Sequence, residues 1–175
     1  MAREIWDAYD RNGNKLGFDL YRDQTDKIPP DVYHIVVNIF TLTKDDMILV
    51  TQRSPEKPIS PLKWEITGGS IIKGETAAQG AVRELAEETG ICADKKQMRL
   101  LKVIADGYDL WHYFLLKLPQ NHDEISITLQ PRETSDYKFI SLDEFKELFL
   151  SHSFVSHVRK HLEKEILNDM LLSNK

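Results

Sequence analysis

The sequence predicts a layered α/β domain. Three features carry that prediction: a β-branched and aromatic run at residues 32–41, a sharply patterned helix at 76–89, and several further apolar runs that end in a helical stripe. Residues 5–21 read as a hairpin, because Asn12-Gly13 is a strong turn signal and Trp6, Tyr9, Leu16 and Phe18 offer side chains to the rest of the domain. Pro29-Pro30 breaks the chain ahead of the buried strand at 32–41. Asp45-Asp46 turns it into a partner strand at 47–53, and a loop with Pro55, Pro58 and Pro61 follows. Residues 64–67 are short and extended, and Gly68-Gly69 reads as a turn.

In the helix at 76–89, Ala77, Ala81, Val82, Leu85 and Ala86 form an apolar stripe, and Gly90 stands where a left-handed cap belongs. Strands are expected at 100–105, 111–118 and 137–140, with a long connection at 119–132 that includes a short strand at 125–129. A helix starting at Ser141 or Asp143 runs through Phe149. Another spans 153–172, with Phe154, Val158, Leu162 and Ile166 four apart. Neither a repeat nor a linker interrupts this order. One domain over 1–175 is expected, with residues 1–28 as a hairpin extension and 150–172 as a C-terminal helix.

At 175 residues the chain is long enough to bury about two thirds of its unfolded surface. Asp and Glu number 28 against 23 Lys and Arg, a formal charge of -5 with no basic tract, which argues against a nucleic-acid partner. Cys92 is the single cysteine, so neither a disulfide within the chain nor a thiolate cluster for zinc is available. Residues 1–10 carry charges where a signal peptide needs an apolar core, and no apolar run approaches membrane-spanning length. A cytoplasmic protein with no membrane partner is the expectation.

The chemistry concentrates between Gly69 and Ile91. Glu84, Glu87 and Glu88 fall at i, i+3 and i+4, which stacks three carboxylates on one helix face. They repel one another unless a cation intervenes, and a divalent metal beside a glycine-rich turn points to phosphate chemistry. The plain alternative is a charged helix face paired with Arg83 or lysines. Gly68 and Gly69 permit close backbone approach to a metal or phosphate, and Glu75, near the helix start, is within reach of Arg83 across the loop.

These residues resemble the Nudix hydrolase signature, a Gly, five residues, a Glu, seven residues, then R-E-U-x-E-E-x-G-U with U bulky and apolar. Gly69, Glu75, Arg83, Glu84, Leu85, Glu87, Glu88, Gly90 and Ile91 fill every fixed position. The resemblance implies a Nudix-type α/β/α sandwich with a mixed β-sheet and a loop–helix–loop metal site. It implies that Glu84, Glu87 and Glu88 ligate Mg²⁺ or Mn²⁺ with help from the Gly68 carbonyl, while Gly69, Glu75, Arg83 and Gly90 shape the box. Hard oxygen ligands suit those ions.

The reaction this predicts is attack by a metal-activated water on one phosphorus of a small-molecule diphosphate. Glu87, Glu88 and Glu133 are the candidates for taking the water's proton, and Glu133 is equally open to being a solvated loop carboxylate. Arg53, Lys57 and Lys63 surround the proline-bearing loop and are candidates for holding substrate phosphates, although surface cations are common. Trp111, Tyr113 and Tyr108 offer stacking faces for a base, with burial in the core as the competing role. His34 reads as a packing or hydrogen-bonded histidine. His152, His157 and His161 make no metal set on their own.

The flanks are similar to the isopentenyl-diphosphate isomerase-like branch, in the early hairpin, His34, the Arg53–Lys57 neighbourhood and Trp64. That isomerase needs a cysteine just ahead of the glycines, and Thr67 stands there, so isomerisation is disfavoured. Substrates open to the hydrolase are nucleoside triphosphates, dinucleoside polyphosphates, ADP-ribose and other nucleotide sugars, and prenyl diphosphates. A non-catalytic, nucleotide-binding regulatory domain is the reading from a different class, and its mark would be lost box carboxylates. Family resemblance suggests a homodimer.

Overall fold

In the computed structural model, residues 3–162 are described. Strand β1 (Ile5–Tyr9) and strand β2 (Lys15–Tyr21) make a separate antiparallel hairpin. Its register shifts between Asp7 and Tyr9, where Gly17 opposite adopts φ +83°. Trp6, Ala8 and Leu20 pack with Ile28 and Val32, and Tyr9 is buried. Leu16 and Phe18 are exposed instead, contrary to expectation, because the irregular stretch around Gly17 turns them out of this small core.

The main sheet is built on strand β3 (His34–Leu42), which is buried along its whole length. On one side β3 runs parallel to strand β8 (Asp109–Lys117), in register from His34 opposite Asp109 to Leu42 opposite Lys117. Its other edge is shared: strand β6 (Thr67–Ser70) pairs with residues 36–39, and strand β4 (Ile48–Arg53) begins opposite Leu42. Strand β5 (Trp64–Glu65) and strand β9 (Thr134–Ile140) both pair with β4, and strand β7 (Arg99–Asp106) closes the far edge on β8. The result is a seven-stranded mixed sheet.

Strand periodicity sends alternate β3 residues to opposite layers. Ile35, Val37 and Ile39 join Ile71, Ala81 and Leu85 beneath helix α1 (Ala77–Thr89). Phe40 and Leu42 join Tyr113, Leu115, Phe145, Phe149 and Val158 beneath helices α2 (Leu142–Leu150) and α3 (Ser156–Leu162). This is an α/β/α sandwich with a mixed sheet. Among the described residues, no helix is long and apolar enough to cross a membrane.

Two local expectations are corrected. Gly68 and Gly69 do not turn; they lie inside β6 opposite Asn38 and Val37, because a strand without side chains there can approach both β3 and α1. Residues 125–129 form no strand: the Thr128 amide donates to the Thr89 carbonyl at 2.8 Å while Ile125 and Ile127 pack on the α1-side core, so this segment covers the helix end instead of extending a ladder. Of the helix expected over 153–172, residues 156–162 are helical, and 163–172 lie outside the described residues, Ile166 with them.

Candidate active site

Helix α1 starts on a reciprocal cap in which Thr76 and Gln79 satisfy one another's amides, and it stops at Gly90, whose φ of 74° is left-handed. These two ends hold the acidic face in place against β6. Tight packing sets the distance: a Cβ at Gly80 would fall 2.3 Å from Ile71 Cγ2, and one at Gly68 would fall 2.2 Å from the Val37 carbonyl oxygen.

Arg83 ties the loop, strand and helix together. Its Nε and Nη2 donate to the two Glu75 carboxylate oxygens at 2.8 and 3.0 Å, and Nη2 also reaches the Ser70 carbonyl at 3.0 Å. Nη1 donates to Glu84 at 2.8 Å and to Glu87 at 3.0 Å. Glu75 also accepts the Ile72 amide at 3.0 Å. Burial works against its ionisation, but these hydrogen bonds outweigh it and hold its carboxyl below the usual range.

The three helix carboxylates differ sharply. Glu87 is about half exposed. Glu84 is largely buried, and desolvation pushes its carboxyl up despite Arg83, with Glu87 and Glu4 adding repulsion. Glu88 is buried, and its Oε2 has no hydrogen-bond partner among the described residues. Desolvation raises its carboxyl well above the ordinary value, the charges of Glu65 and Glu84 raise it further, and a hydrogen bond from the Gly68 amide only partly opposes them.

Glu65, which no motif in the sequence marks, belongs to this cluster. Both its oxygens accept from Arg53 Nη1, at 3.0 and 2.9 Å, yet burial pushes its carboxyl up to about 7. Strand alternation is the signal that finds it: Trp64 and Ile66 enter the core beneath α2, so Glu65 must face the other way, with Thr67.

The predicted cations divide. Arg53 joins the cluster through Glu65, and its Nε donates to the Ile59 carbonyl at 3.0 Å. Lys57 pairs with Glu133, and the Ser54 amide donates to the Glu133 carbonyl at 2.9 Å, which pins the 54–57 loop to the turn before β9. Lys63 donates to the His152 carbonyl instead. Of the aromatic candidates, Tyr113 is fully buried with its hydroxyl 2.7 Å from His161 Nδ1, Trp111 packs against His157, and Tyr108 is exposed. His34 stacks on Trp6 at 3.8 Å and reaches Asp109 at 2.6 Å, a packing role.

As the side chains stand, no three His, Cys, Asp or Glu groups among the described residues converge tightly enough to hold an ion; Glu84 and Glu87 are both engaged by Arg83. The chemistry of the donors nevertheless fits a hard cation. They are all oxygen, Glu84 and Glu88 crowd a buried space where each raises the cost of the other's charge, and Glu88 Oε2 lacks the partner such an ion would provide.

Comparison with known proteins identifies the family. The NUDIX domain pattern matches residues 32–162. An uncharacterised Nudix hydrolase of Listeria monocytogenes is 30% identical over 157 residues, covering 88% of this chain and 89% of the relative. An RNA pyrophosphohydrolase of Pelagibacter ubique is 30% identical, covering 75% of this chain and 92% of its own. Among solved structures, a bifunctional NMN adenylyltransferase/ADP ribose pyrophosphatase from Francisella tularensis, complexed with AMP and a manganese ion, superposes with a TM-score of 0.56 at 28% identity. That match covers 66% of this chain and 36% of the Francisella chain. With the pattern spanning most of its length and the box carboxylates gathered at one end of its central helix, this chain belongs to the Nudix hydrolase family.

Proposed function

We propose that the protein is a pyrophosphohydrolase that uses Mg²⁺ or Mn²⁺ to split the diphosphate linkage of a nucleoside diphosphate joined to another moiety, or of a related small diphosphate. The observation that carries this reading is the buried, partnerless Oε2 of Glu88 beside Glu84 and Glu65. A buried anionic oxygen without a partner is costly, and a hard divalent ion relieves it. The residues that would hold the ion are Glu84, Glu87 and Glu88, with the Gly68 carbonyl. When bound, such an ion supplies Lewis-acid stabilisation of phosphate charge and acidifies a water.

The chain's own groups do the rest. Arg83 and Glu75 hold the 71–75 loop against α1, so the carboxylates keep one geometry. Glu133, held by Lys57 and partly exposed, takes the proton of the attacking water, with Glu87 as the other exposed carboxylate suited to it. Lys57 and Arg53 are cations within the cluster that offset phosphate charge. The Pelagibacter relative and the Francisella neighbour support a pyrophosphate-splitting activity and a nucleotide-containing substrate.

An isomerase reading finds no support: Thr67 is buried in β6, and Cys92 is exposed beyond the end of α1. The test is a mass-spectrometric turnover screen with Mg²⁺ or Mn²⁺ over nucleoside triphosphates, 5′-triphosphorylated RNA, dinucleoside polyphosphates, nucleotide sugars including ADP-ribose, and prenyl diphosphates. Metal-dependent release of a monophosphate, phosphate or pyrophosphate is expected. No turnover of any member by folded protein would overturn the reading in favour of a binding domain.

A further inference from the structure

The loop between β4 and β5 is hung on one arginine. Arg53, the last residue of β4, ties the far end of the loop through its backbone: its amide donates to the Lys63 carbonyl at 2.9 Å, and its carbonyl accepts the Leu62 amide at 3.1 Å. Its side chain holds the same loop from within, because Nε donates to the Ile59 carbonyl at 3.0 Å. Gln52 Nε2 adds a bond to the Leu62 carbonyl at 3.1 Å. These ties hold a strained segment, since Ser60 and Leu62 adopt φ of 51° and 61°.

The same arginine is in contact with both sides of the site. Directly after it, the Ser54 amide donates to the Glu133 carbonyl at 2.9 Å, and Lys57 pairs with the Glu133 carboxylate. Toward the box, Arg53 Nη1 donates to both oxygens of Glu65, at 3.0 and 2.9 Å. Strand β6 begins two residues after Glu65 and carries Gly69 against Glu84, where an added Cβ would fall 2.4 Å from the carboxyl carbon. The side chains of Arg53 and Glu65 are only 17% and 13% exposed, so water competes little for the pair and its geometry is firm. Nε and Nη1 are thus occupied, whereas Nη2 has no hydrogen-bond partner among the described residues.

We propose that Glu65 is a positioning residue: it clamps Nη1 of Arg53 while the Ile59 carbonyl takes Nε, so that the unused Nη2 is presented to a phosphate of the diphosphate substrate. The planar guanidinium makes this work, because fixing two of its nitrogens fixes the third. Glu65 touches neither substrate nor ion in this role, which sets it apart from Glu84, Glu87 and Glu88. This inference rests on the diphosphate reading given above.

The test is a double-mutant cycle read by calorimetric titration of methylenediphosphonate, which cannot be hydrolysed at its bridge, into the full chain with Mg²⁺ present. R53A is expected to bind about ten-fold more weakly than wild type, as loss of one charge-assisted hydrogen bond predicts. E65A should weaken binding nearly as much while Arg53 is present, and should not weaken it in the R53A background. The sign separates positioning from plain electrostatics, because removing a negative charge near a phosphate site tightens anion binding. E65Q, which keeps an acceptor for Nη1, should fall between wild type and E65A, and it carries the cycle if E65A does not fold. Unchanged or tighter binding in E65A, or equal weakening with and without Arg53, overturns the role of Glu65 while leaving the phosphate site intact. An R53A chain that binds like wild type does the same. A wild-type chain that gives no binding heat overturns the phosphate site itself, and the role of Glu65 with it.

Discussion

A methyl group placed on Gly69 would lie 2.4 Å from the carboxyl carbon of Glu84. The clash falls on the far end of a flexible side chain, so the backbone has no need to move, but the carboxylate must. Gly69→Ala is therefore expected to keep a native circular-dichroism spectrum and nearly native Tm while losing most turnover. Gly80→Ala is the contrast: its methyl would meet the packed side chain of Ile71 at 2.3 Å, and overpacking of that kind costs about 1–3 kcal/mol. A thermal melt of both variants, beside a turnover assay, checks the pair. Equal destabilisation by the two would contradict it.

Glu87 is about half exposed and, among the described residues, pairs with Arg83, so it contributes little to the core. Glu87→Gln is expected to lower kcat at least about 100-fold with an unchanged melting temperature, as loss of a metal ligand should. Near-normal turnover would remove Glu87 from the ligand set.

Metal binding should be visible without any substrate. An ion that binds only the folded chain stabilises it by about 2.7 kcal/mol at a hundred times its Kd, and each kcal/mol is worth about 2–4 °C for a chain of this size. Thermal melts with and without Mn²⁺ should show a rise of several degrees in wild type. In Glu88→Gln the rise should vanish while the metal-free melting temperature is not lowered, because the substitution removes a crowded carboxylate with an unpartnered oxygen. A full metal response in that variant would contradict the assignment.

His157 sets a pH dependence unrelated to catalysis. Burial first, then the neighbouring His161 and Arg53, depress its pKa to about 4, with Asp109 and Asp106 only partly offsetting them. The unfolded chain takes up this proton near pH 6.5 and the folded chain does not, so acid favours unfolding from about 6.5 down to 4. Stability should fall by about 1 kcal/mol per pH unit across that window and gain no further loss from this group below it. Melting curves of wild type and His157→Phe over pH 4–7 check this: the variant should be the flatter of the two.

How much of this was legible beforehand depended on separation along the chain. The helix over 76–89, its stop at Gly90 and the Glu75–Arg83 pair lie within one helix and its entry loop, where spacing alone dictates geometry. The helical stripe through Ala81 and Leu85 was readable for the same reason. Contacts that depend on the sheet were not. Glu65 reaches the cluster only because β5 and β6 both return beside β3 and β4, and Gly68-Gly69 looks like a turn until β3 is there to pair with it. The outward Leu16 and Phe18 follow from a bulge that hairpin alternation does not announce.

The hairpin is fastened to the loop ahead of α1, where the Ile5 carbonyl accepts the Lys73 amide and Asp7 Oδ2 accepts the Gly74 amide, both at 2.8 Å, and this implies an order of assembly. A two-stranded ribbon is at best marginally stable alone in water. This one leans on the ring of His34, which is itself steadied by Asp109, a residue translated long after the hairpin. On the ribosome, then, the hairpin emerges well before β8 and settles only after it. Until it does, the amides of Lys73 and Gly74 lack their acceptors. A nascent chain cut short before β8 would carry every residue of the glutamate box and still present an unfinished loop.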